Sequence, residues 1–214
     1  MTGPRGPLWT RARLARVMSL QFGTNALGHA DTVAAAAVLG VSPRTVRRWL
    51  AGSSGRQLAH IPPRRLRQLI EALQPTAERR RDEQREADYA RKAITQLKLP
   101  RKRGVLPSWE KRRWTEPHVV AVLAVRQAGI RQLAVMRSGP KTTEVLRRRG
   151  SVLDSVIVST RFHATVLVHE MLTELGPWRF QAKPGSVLQG ITLTWLDDAP
   201  SVDLAAFYTE LGLR

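Results

Sequence analysis

Residues 34–52 read AAAAVLGVSPRTVRRWLAG. This pattern predicts two short helices joined by a tight turn, the first spanning about residues 32–38 and the second beginning at Ser42. Gly40 stands at the turn, where a positive φ angle costs glycine little because it has no Cβ. Ser42 is a good N-cap for the second helix, and Pro43 suits its first position, where no backbone N–H is missed.

The second predicted helix has a basic side and an apolar side. We expect Arg44, Thr45, Arg47 and Arg48 to point outward, as in a helix that lies in the major groove of DNA. We therefore interpret residues 32–50 as a helix-turn-helix. The inner face of the pair is predicted to consist of apolar side chains, namely Val38, Leu39, Val41, Val46, Trp49 and Leu50.

The charge of the chain favours a polyanionic partner. Its 35 Lys and Arg residues exceed its 17 Asp and Glu residues by 18, well beyond what solubility requires. The excess is concentrated before Thr115, where 24 basic and 8 acidic residues stand, against 11 and 9 in the remainder. We expect the first half to bind DNA and the second half to form a nearly neutral domain.

Composition excludes several other classes of protein. The 214 residues have room for one large or two small domains. Cysteine is absent, which excludes disulfides, a thiolate zinc site and a cysteine nucleophile. Because no apolar run approaches the length of a membrane span and no signal peptide is recognisable, we expect a cytoplasmic, nucleoid-associated protein without a membrane partner.

We predict an α+β protein with three parts. An all-helical helix-turn-helix domain covers residues 1–75, a charged helix and a basic hinge cover residues 76–114, and a small α+β domain covers residues 115–214. In the last part, alternating or β-branched apolar residues predict strands at 119–125, 130–136 and 188–196, and helical spacing predicts helices at 141–149 and 164–175. Residues 152–158 suit a strand or a helix.

The middle part leaves two questions open. Charges of both signs alternate along residues 76–97, which is typical of a solvated spacer helix, or of a helix that tracks DNA or dimerises. Pro100, Gly104 and Pro107 predict an extended hinge at 98–113, suited to DNA phosphates or a minor groove. Its Trp109 and the following Trp114 either stack on bases or anchor the hinge to the next domain.

We expect DNA contacts from both basic regions. Arginines of the recognition helix would reach guanine edges or phosphates, and hinge cations would contact phosphates. The candidate DNA-binding residues are Ser42, Arg44, Thr45, Arg47, Arg48, Arg56, Arg64, Arg65, Arg101, Lys102, Arg103, Lys111, Arg112 and Arg113.

The sequence gives no catalytic or metal motif. The five histidines lack metal-ligand spacing, and no glycine-rich phosphate loop is present. We interpret His169 and Glu170 as a helix surface, and Asp197 and Asp198 as a solvated turn. Tyr208 lacks the His-x-x-Arg pairing that a tyrosine recombinase needs. We therefore expect a binding protein with no cofactor, no metal and no catalytic residue of its own.

The order of the sequence motifs resembles that of the telomere-protecting terminal proteins of Streptomyces-type linear replicons. The similar stretch is residues 36–75, with LGVSPRTVRR at 39–48, a proline-started leucine-rich helix, and Gln74-Pro75 before an arginine-rich segment. Residues 130–136 and 191–198 also look like strands of that family. This chain is longer at its N-terminus and has the additional hinge at 98–113.

The resemblance implies protein-primed patching of replicon ends. Such a protein binds folded single-stranded 3′ overhangs beside a telomere-binding partner protein, and a DNA polymerase attaches the first nucleotide to one of its hydroxyl groups. That hydroxyl needs an exposed position beside cations that hold the triphosphate. Ser108 and Thr115 fit best because Lys111, Arg112 and Arg113 flank them, and Tyr89 is a further possibility.

A transcriptional regulator is the alternative interpretation. A phage or plasmid repressor would use the same recognition helix on a duplex operator, with the second half serving dimerisation or a second DNA contact. A homo-oligomer is compatible with both interpretations. A repressor acts alone on duplex DNA, whereas a terminal protein acts on hairpin or single-stranded ends with its partners.

Overall fold

The computed structural model describes residues 6–51, 58, 61–125, 129–182 and 193–213. Contacts within the chain divide it into two compact units. The first comprises Met1–Thr76 and Pro177–Thr194, and the second comprises Ala77–Gly176 and Trp195–Arg214.

The described residues contain both helices and strands, which agrees with an α+β protein. None of these helices is both long and apolar enough to cross a lipid bilayer. The strands are β1 (His118–Val125), β2 (Ile130–Arg137), β3 (Ser151–Val158), β4 (Arg179–Phe180) and β5 (Thr194–Leu196). The helices are α1 (Arg11–Phe22), α2 (Thr32–Leu39), α3 (Pro43–Leu50), α4 (Pro63–Leu73), α5 (Ala77–Leu97), α6 (Pro107–Lys111), α7 (Thr142–Arg149), α8 (Arg161–Glu174) and α9 (Leu204–Glu210).

The first unit is built around the buried faces of α1 to α4. Val46 and Trp49 of α3 are buried, while Leu39, Val41 and Leu50 are half-buried. The prediction that Val38 belongs to the inner face is wrong, because its side chain is 65% exposed. The other buried side chains of these helices include Leu14, Val17, Met18, Ala35, Ala36, Leu69 and Leu73.

The second unit contains an antiparallel sheet with helices packed on it. The strands lie in the order β3–β1–β2–β5, with Val120 of β1 opposite Val135 of β2 and Val156 of β3. Leu146 of α7 packs on one face in a cluster with alternate residues of β1, including Leu123. Helix α8 also packs on this sheet and is itself covered by α5. Because both faces are covered, β1 is a nearly continuous apolar run.

The ambiguous segment 152–158 lies in a strand, β3. The other strands and helices predicted after Thr115 have counterparts in β1, β2, α7 and α8, with shifted ends. Of the strand predicted at 188–196, the structure describes only residues 193–196, of which 194–196 form β5.

Helix α5 is not a wholly solvated spacer. Although charged residues alternate along it, Ala87, Ala90 and Ala93 form a buried stripe, and Ala90 and Ala93 share a core cluster with Phe162 of α8. Small residues at this spacing allow two helices to approach closely. Residues 77–114 therefore belong to the second unit, which differs from the three-part division drawn from the sequence.

The prediction of an extended hinge is wrong. Residues 100–102 form a 3-10 turn, and Pro107 occupies the first turn of α6. The chain folds back here because Trp109 of α6 is only 1% exposed and packs in the core cluster beside α5 and α8. Gly104 lies so close to α5 that a Cβ at this position would stand 2.4 Å from the carbonyl oxygen of Gln96.

Candidate nucleic-acid interface

The turn between α2 and α3 is fixed by local hydrogen bonds. Gly40 adopts the left-handed conformation (φ 63°, ψ 37°), as predicted, and its N–H donates to the Ala36 carbonyl. Ser42 caps α3, because its Oγ accepts a hydrogen bond from the Thr45 N–H at 3.2 Å. The Asp31 carboxylate caps α2 by accepting two backbone hydrogen bonds at 3.0 Å. These caps hold the orientation of α3 without using its arginine side chains.

The three arginines of α3 face away from its buried side. Arg44, Arg47 and Arg48 are exposed, whereas Val46 and Trp49 are buried. At 3.6 residues per turn, the arginines span about 100° of the helix circumference, opposite the buried arc. The Nε of Arg47 donates to the carbonyl of Pro43 on its own helix at 3.4 Å.

A concave surface lies between α3 and α4. Both helices contribute cations to it, and the N-cap of α3 lies at its edge. Arg65 donates to the side-chain carbonyl of Gln68 at 3.2 Å, which orients one guanidinium along α4. The described residues that line this surface are Gly40, Val41, Ser42, Thr45, Arg48, Trp49, Pro62, Arg64, Arg65 and Gln68. We call it the α3–α4 groove.

The α3–α4 groove brings together five of the candidates predicted in residues 1–75, namely Ser42, Thr45, Arg48, Arg64 and Arg65. Arg44 and Arg47 line an adjoining concavity on α3, together with Ser42, Thr45, Arg48 and Ala51. Arg56, also predicted to bind DNA, lies outside the described residues.

The hinge cations form a separate set in the second unit. Arg101 and Arg103 are exposed at the 3-10 turn, and the backbone of Lys102 lies between them. Lys111, Arg112 and Arg113 are exposed at the end of α6. Of these, Arg112 lies over the Trp114 ring at 5.1 Å, and Arg113 lies 3.8 Å from the Glu116 carboxylate.

The two hinge tryptophans occupy different environments. The Trp109 ring lies edge-on to Phe162 at 4.7 Å, and its Nε1 donates to the Tyr89 hydroxyl at 2.9 Å. Trp114 is half-buried, with the guanidinium of Arg161 5.5 Å from its ring. Since the Trp109 ring is almost wholly buried, it anchors the hinge and has no free face for a base.

The three candidate hydroxyl groups differ in accessibility. Ser108 is exposed in the first turn of α6, one turn before Arg112, whose N–H donates to the Ser108 carbonyl. Thr115 is half-buried in the turn that precedes β1. Tyr89 is exposed, but its hydroxyl already accepts the hydrogen bond from Trp109. The geometry therefore favours Ser108 as an accessible acceptor.

Sequence reasoning missed a basic cluster on α7. Arg147 and Arg148 are exposed in its last turn, Arg149 is half-buried, and Lys141 is exposed just before the helix. The consecutive residues Arg147, Arg148 and Arg149 are a signal in the sequence, but the nearly neutral net charge of the whole second half obscures it.

Three histidines of the second unit are shifted toward the neutral form. Burial lowers the pKa of His118, His163 and His169 from the ordinary value of 6.5, and positive charges nearby, such as Lys98 beside His163, lower it further. Across the described ranges, no group of three or more His, Asp or Glu side chains is placed to hold a metal ion. The cations among the described candidate residues are arginine and lysine side chains.

No family model matches this chain, and no curated protein or solved structure is significantly similar to it. The resemblance to terminal proteins stays a hypothesis drawn from the sequence motifs.

Proposed function

We propose that this chain binds DNA, with α2 and α3 acting as a helix-turn-helix and α3 lying in the major groove. The observation that carries this proposal is the arrangement of Arg44, Arg47 and Arg48 on one exposed arc, opposite the buried face of α3. Guanidinium groups donate two parallel hydrogen bonds to the O6 and N7 atoms of guanine. Such an arc presents donors to base edges while the apolar side remains in the core.

The α3–α4 groove supports this orientation. Arg64 and Arg65 stand at the start of α4, beside Arg48 and Ser42. We assign base contacts to the α3 arginines and phosphate contacts to the α4 pair, because phosphate contacts position a protein and base contacts specify the sequence.

Selection of a site from a random duplex library tests this assignment. We expect Arg48→Ala to lose about 1–3 kcal/mol of discrimination between the selected and a scrambled duplex. Arg64→Ala should weaken binding to both duplexes equally. It should also reduce the slope of log K against log salt by about 0.9, the contribution of one phosphate contact. Arg67→Ala is the matched control, since Arg67 is exposed on α4 outside the α3–α4 groove. Equal losses for Arg48→Ala on both duplexes would refute the assignment.

For the biological role, we propose a terminal protein that caps the ends of a linear replicon and primes their completion. The sequence resemblance and the exposure of Ser108 beside Lys111 and Arg112 support this role. The Ser108 Oγ would attack the α-phosphorus of a deoxynucleoside triphosphate, forming an oxygen–phosphorus bond and releasing pyrophosphate. The polymerase would supply the metal ions and accept the hydroxyl proton. Thr115 is the second candidate.

The test of priming is covalent labelling. Protein incubated with a DNA polymerase, Mg²⁺ and labelled nucleotides should retain label after denaturation. Ser108→Ala should abolish that label, whereas Ser138→Ala, a half-buried serine after β2, serves as the control. Label that persists in both Ser108→Ala and Thr115→Val would exclude these two hydroxyls.

A transcriptional regulator is the second candidate function. The exposed arginine arc of α3 favours it, because such an arc reads duplex DNA without any partner protein. Tight binding to one duplex sequence with no preference for hairpin or single-stranded ends would support the regulator over the terminal protein.

A further inference from the structure

The second unit carries a basic surface that the proposed function does not use. Between Arg137 and Arg149 the chain has five basic residues and a single acidic one, Glu144. The rest of the chain after residue 114 has 6 basic and 8 acidic residues. This segment therefore holds the whole positive excess of the second half. We call its cations the α7 cluster: Arg137, Lys141, Arg147, Arg148 and Arg149.

Helix α7 presents this charge on its outer side. Its inner side is fixed on the sheet by Leu146, which is buried with β1 residues. Arg147 and Arg148 are exposed, and Arg148 pairs with Glu144 one turn earlier. The outer side contributes to an open concavity lined by Pro140, Thr143, Glu144, Arg147 and Arg148.

The end of α7 is held rigidly. Gly150 follows it directly, and a Cβ there would stand 2.4 Å from the Ala124 carbonyl oxygen of β1. The Gly150 N–H donates to the Leu146 carbonyl at 3.1 Å. The backbone that bears the arginines is therefore anchored to the sheet, which lowers the entropy lost when they bind a ligand.

Helix stability alone does not explain the cluster. Cations in the last turn offset the helix dipole, but Lys141 stands before α7 begins. Arg137, also before α7, pairs with the Glu116 carboxylate at 3.2 Å, so Lys141 and the three arginines of α7 carry most of the free charge of the cluster. Helix α5 offers a contrast, because its 6 basic residues are interspersed with 5 acidic ones. On α7 a single carboxylate faces several cations, so a net positive surface remains for an external anion.

We propose that the α7 cluster is a second DNA-contact surface, which binds backbone phosphates without reading the sequence. This inference rests on the proposed DNA-binding function and extends it to the second unit. Guanidinium groups suit phosphate oxygens because they donate two parallel hydrogen bonds. The α7 cluster thus adds affinity and salt dependence, while sequence preference comes from α3.

The experiment compares charge removal on α7 and on α5 in the full chain. Arg148 and Arg85 are well matched, since their side chains are 76% and 78% exposed and each pairs with a carboxylate on its own helix. Binding of Arg148→Gln, Arg85→Gln and the double variant Arg147→Gln/Arg148→Gln is measured on the selected and scrambled duplexes between about 50 and 200 mM salt. Thermal unfolding curves check that each variant is folded.

We expect the double variant to reduce the slope of log K against log salt by about 1.8, and Arg148→Gln to reduce it by about 0.9. Both changes should weaken binding to the two duplexes by the same factor, and Arg85→Gln should leave the slope unchanged. An unchanged slope in the double variant overturns the proposal. So does an equal effect of Arg85→Gln, because the slope would then follow net charge alone.

The outcomes also separate this inference from the proposed function. If Arg48→Ala relaxes the sequence preference while the α7 variants leave the affinity and its salt dependence unchanged, only the α7 inference fails. If the wild-type chain binds no duplex at any salt concentration, both fail. A loss confined to the selected duplex would mean that α7 contacts bases, which also overturns the inference.

Discussion

The hydrogen bond between Trp109 and Tyr89 is predicted to add to the anchoring of α6 beside α5. The Trp109 Nε1 donates to the Tyr89 hydroxyl at 2.9 Å, in a ring that is only 1% exposed. Tyr89→Phe removes the acceptor and leaves a buried N–H unsatisfied, which costs about 1–3 kcal/mol. In a Trp109→Phe background there is no N–H to satisfy, so the same change should cost less than about 0.5 kcal/mol. The coupling energy, which is the difference between these two costs, is therefore about 0.5–3 kcal/mol.

Urea unfolding followed by circular dichroism measures this double-mutant cycle. Tyr208→Phe in the same unit is the matched control, because Tyr208 is a buried residue whose hydroxyl lies 3.4 Å from the Ser159 hydroxyl, at the limit of a hydrogen bond. Its cost should be the same with and without Trp109→Phe. If Tyr89→Phe costs equal amounts in both backgrounds, the stabilising role of the hydrogen bond between Trp109 and Tyr89 is refuted. A Trp109→Phe variant of unchanged stability but reduced DNA affinity would instead indicate base stacking.

Three further predictions concern stability. Gly104→Ala should destabilise the second unit by about 1–3 kcal/mol, measured by chemical unfolding, because its Cβ would collide with the Gln96 backbone. Ser42→Ala should cost about 1 kcal/mol by removing the cap of the Thr45 N–H, and Ser42→Thr should restore most of it in thermal unfolding. Because burial lowers the pKa of His118, the unfolded chain takes up its proton first as the pH falls. Stability should therefore decline below about pH 6.5, by up to about 1.4 kcal/mol per pH unit for this group, and His118→Gln should flatten that decline. A steeper pH dependence in His118→Gln, or no destabilisation in Gly104→Ala, would contradict these arguments.

The α2–α3 turn was predictable because its chemistry is local. Gly40, Ser42 and Pro43 each act within four residues of their own position, so the sequence contains both partners of every contact. The outward arc of α3 follows from the same periodicity. The prediction for Val38 is wrong because an apolar residue on a helix of only two turns need not face the hydrophobic core of its unit.

The burial of α5 and α6 could not be predicted from local sequence patterns, because the side chains that cover them are distant in sequence. The alternating charges of α5 obscure a stripe of three buried alanines. The aromatic ring that lies nearer to Trp109 than that of Tyr89 belongs to Phe162 on α8, 53 positions along the chain. Pro100 and Pro107 predict an extended chain, whereas in the structure Pro100 begins a 3-10 turn and Pro107 begins α6. The nearly neutral charge of the second half hides the α7 cluster, because that charge is a sum over a hundred residues, whereas the five cations all lie between Arg137 and Arg149.

The path of the chain between the two units has a consequence for how the protein is made. The chain passes between them at residues 76–77, 176–177 and 194–195. The first unit includes a late segment in which the Gln181 N–H donates to the Leu73 carbonyl and the Thr194 hydroxyl donates to the Phe180 carbonyl. During synthesis this unit is therefore completed only after residues 77–176 have left the ribosome. A gene fragment that ends after α4 therefore encodes an incomplete first unit, and this unit can be expressed whole only together with the unit inserted into it.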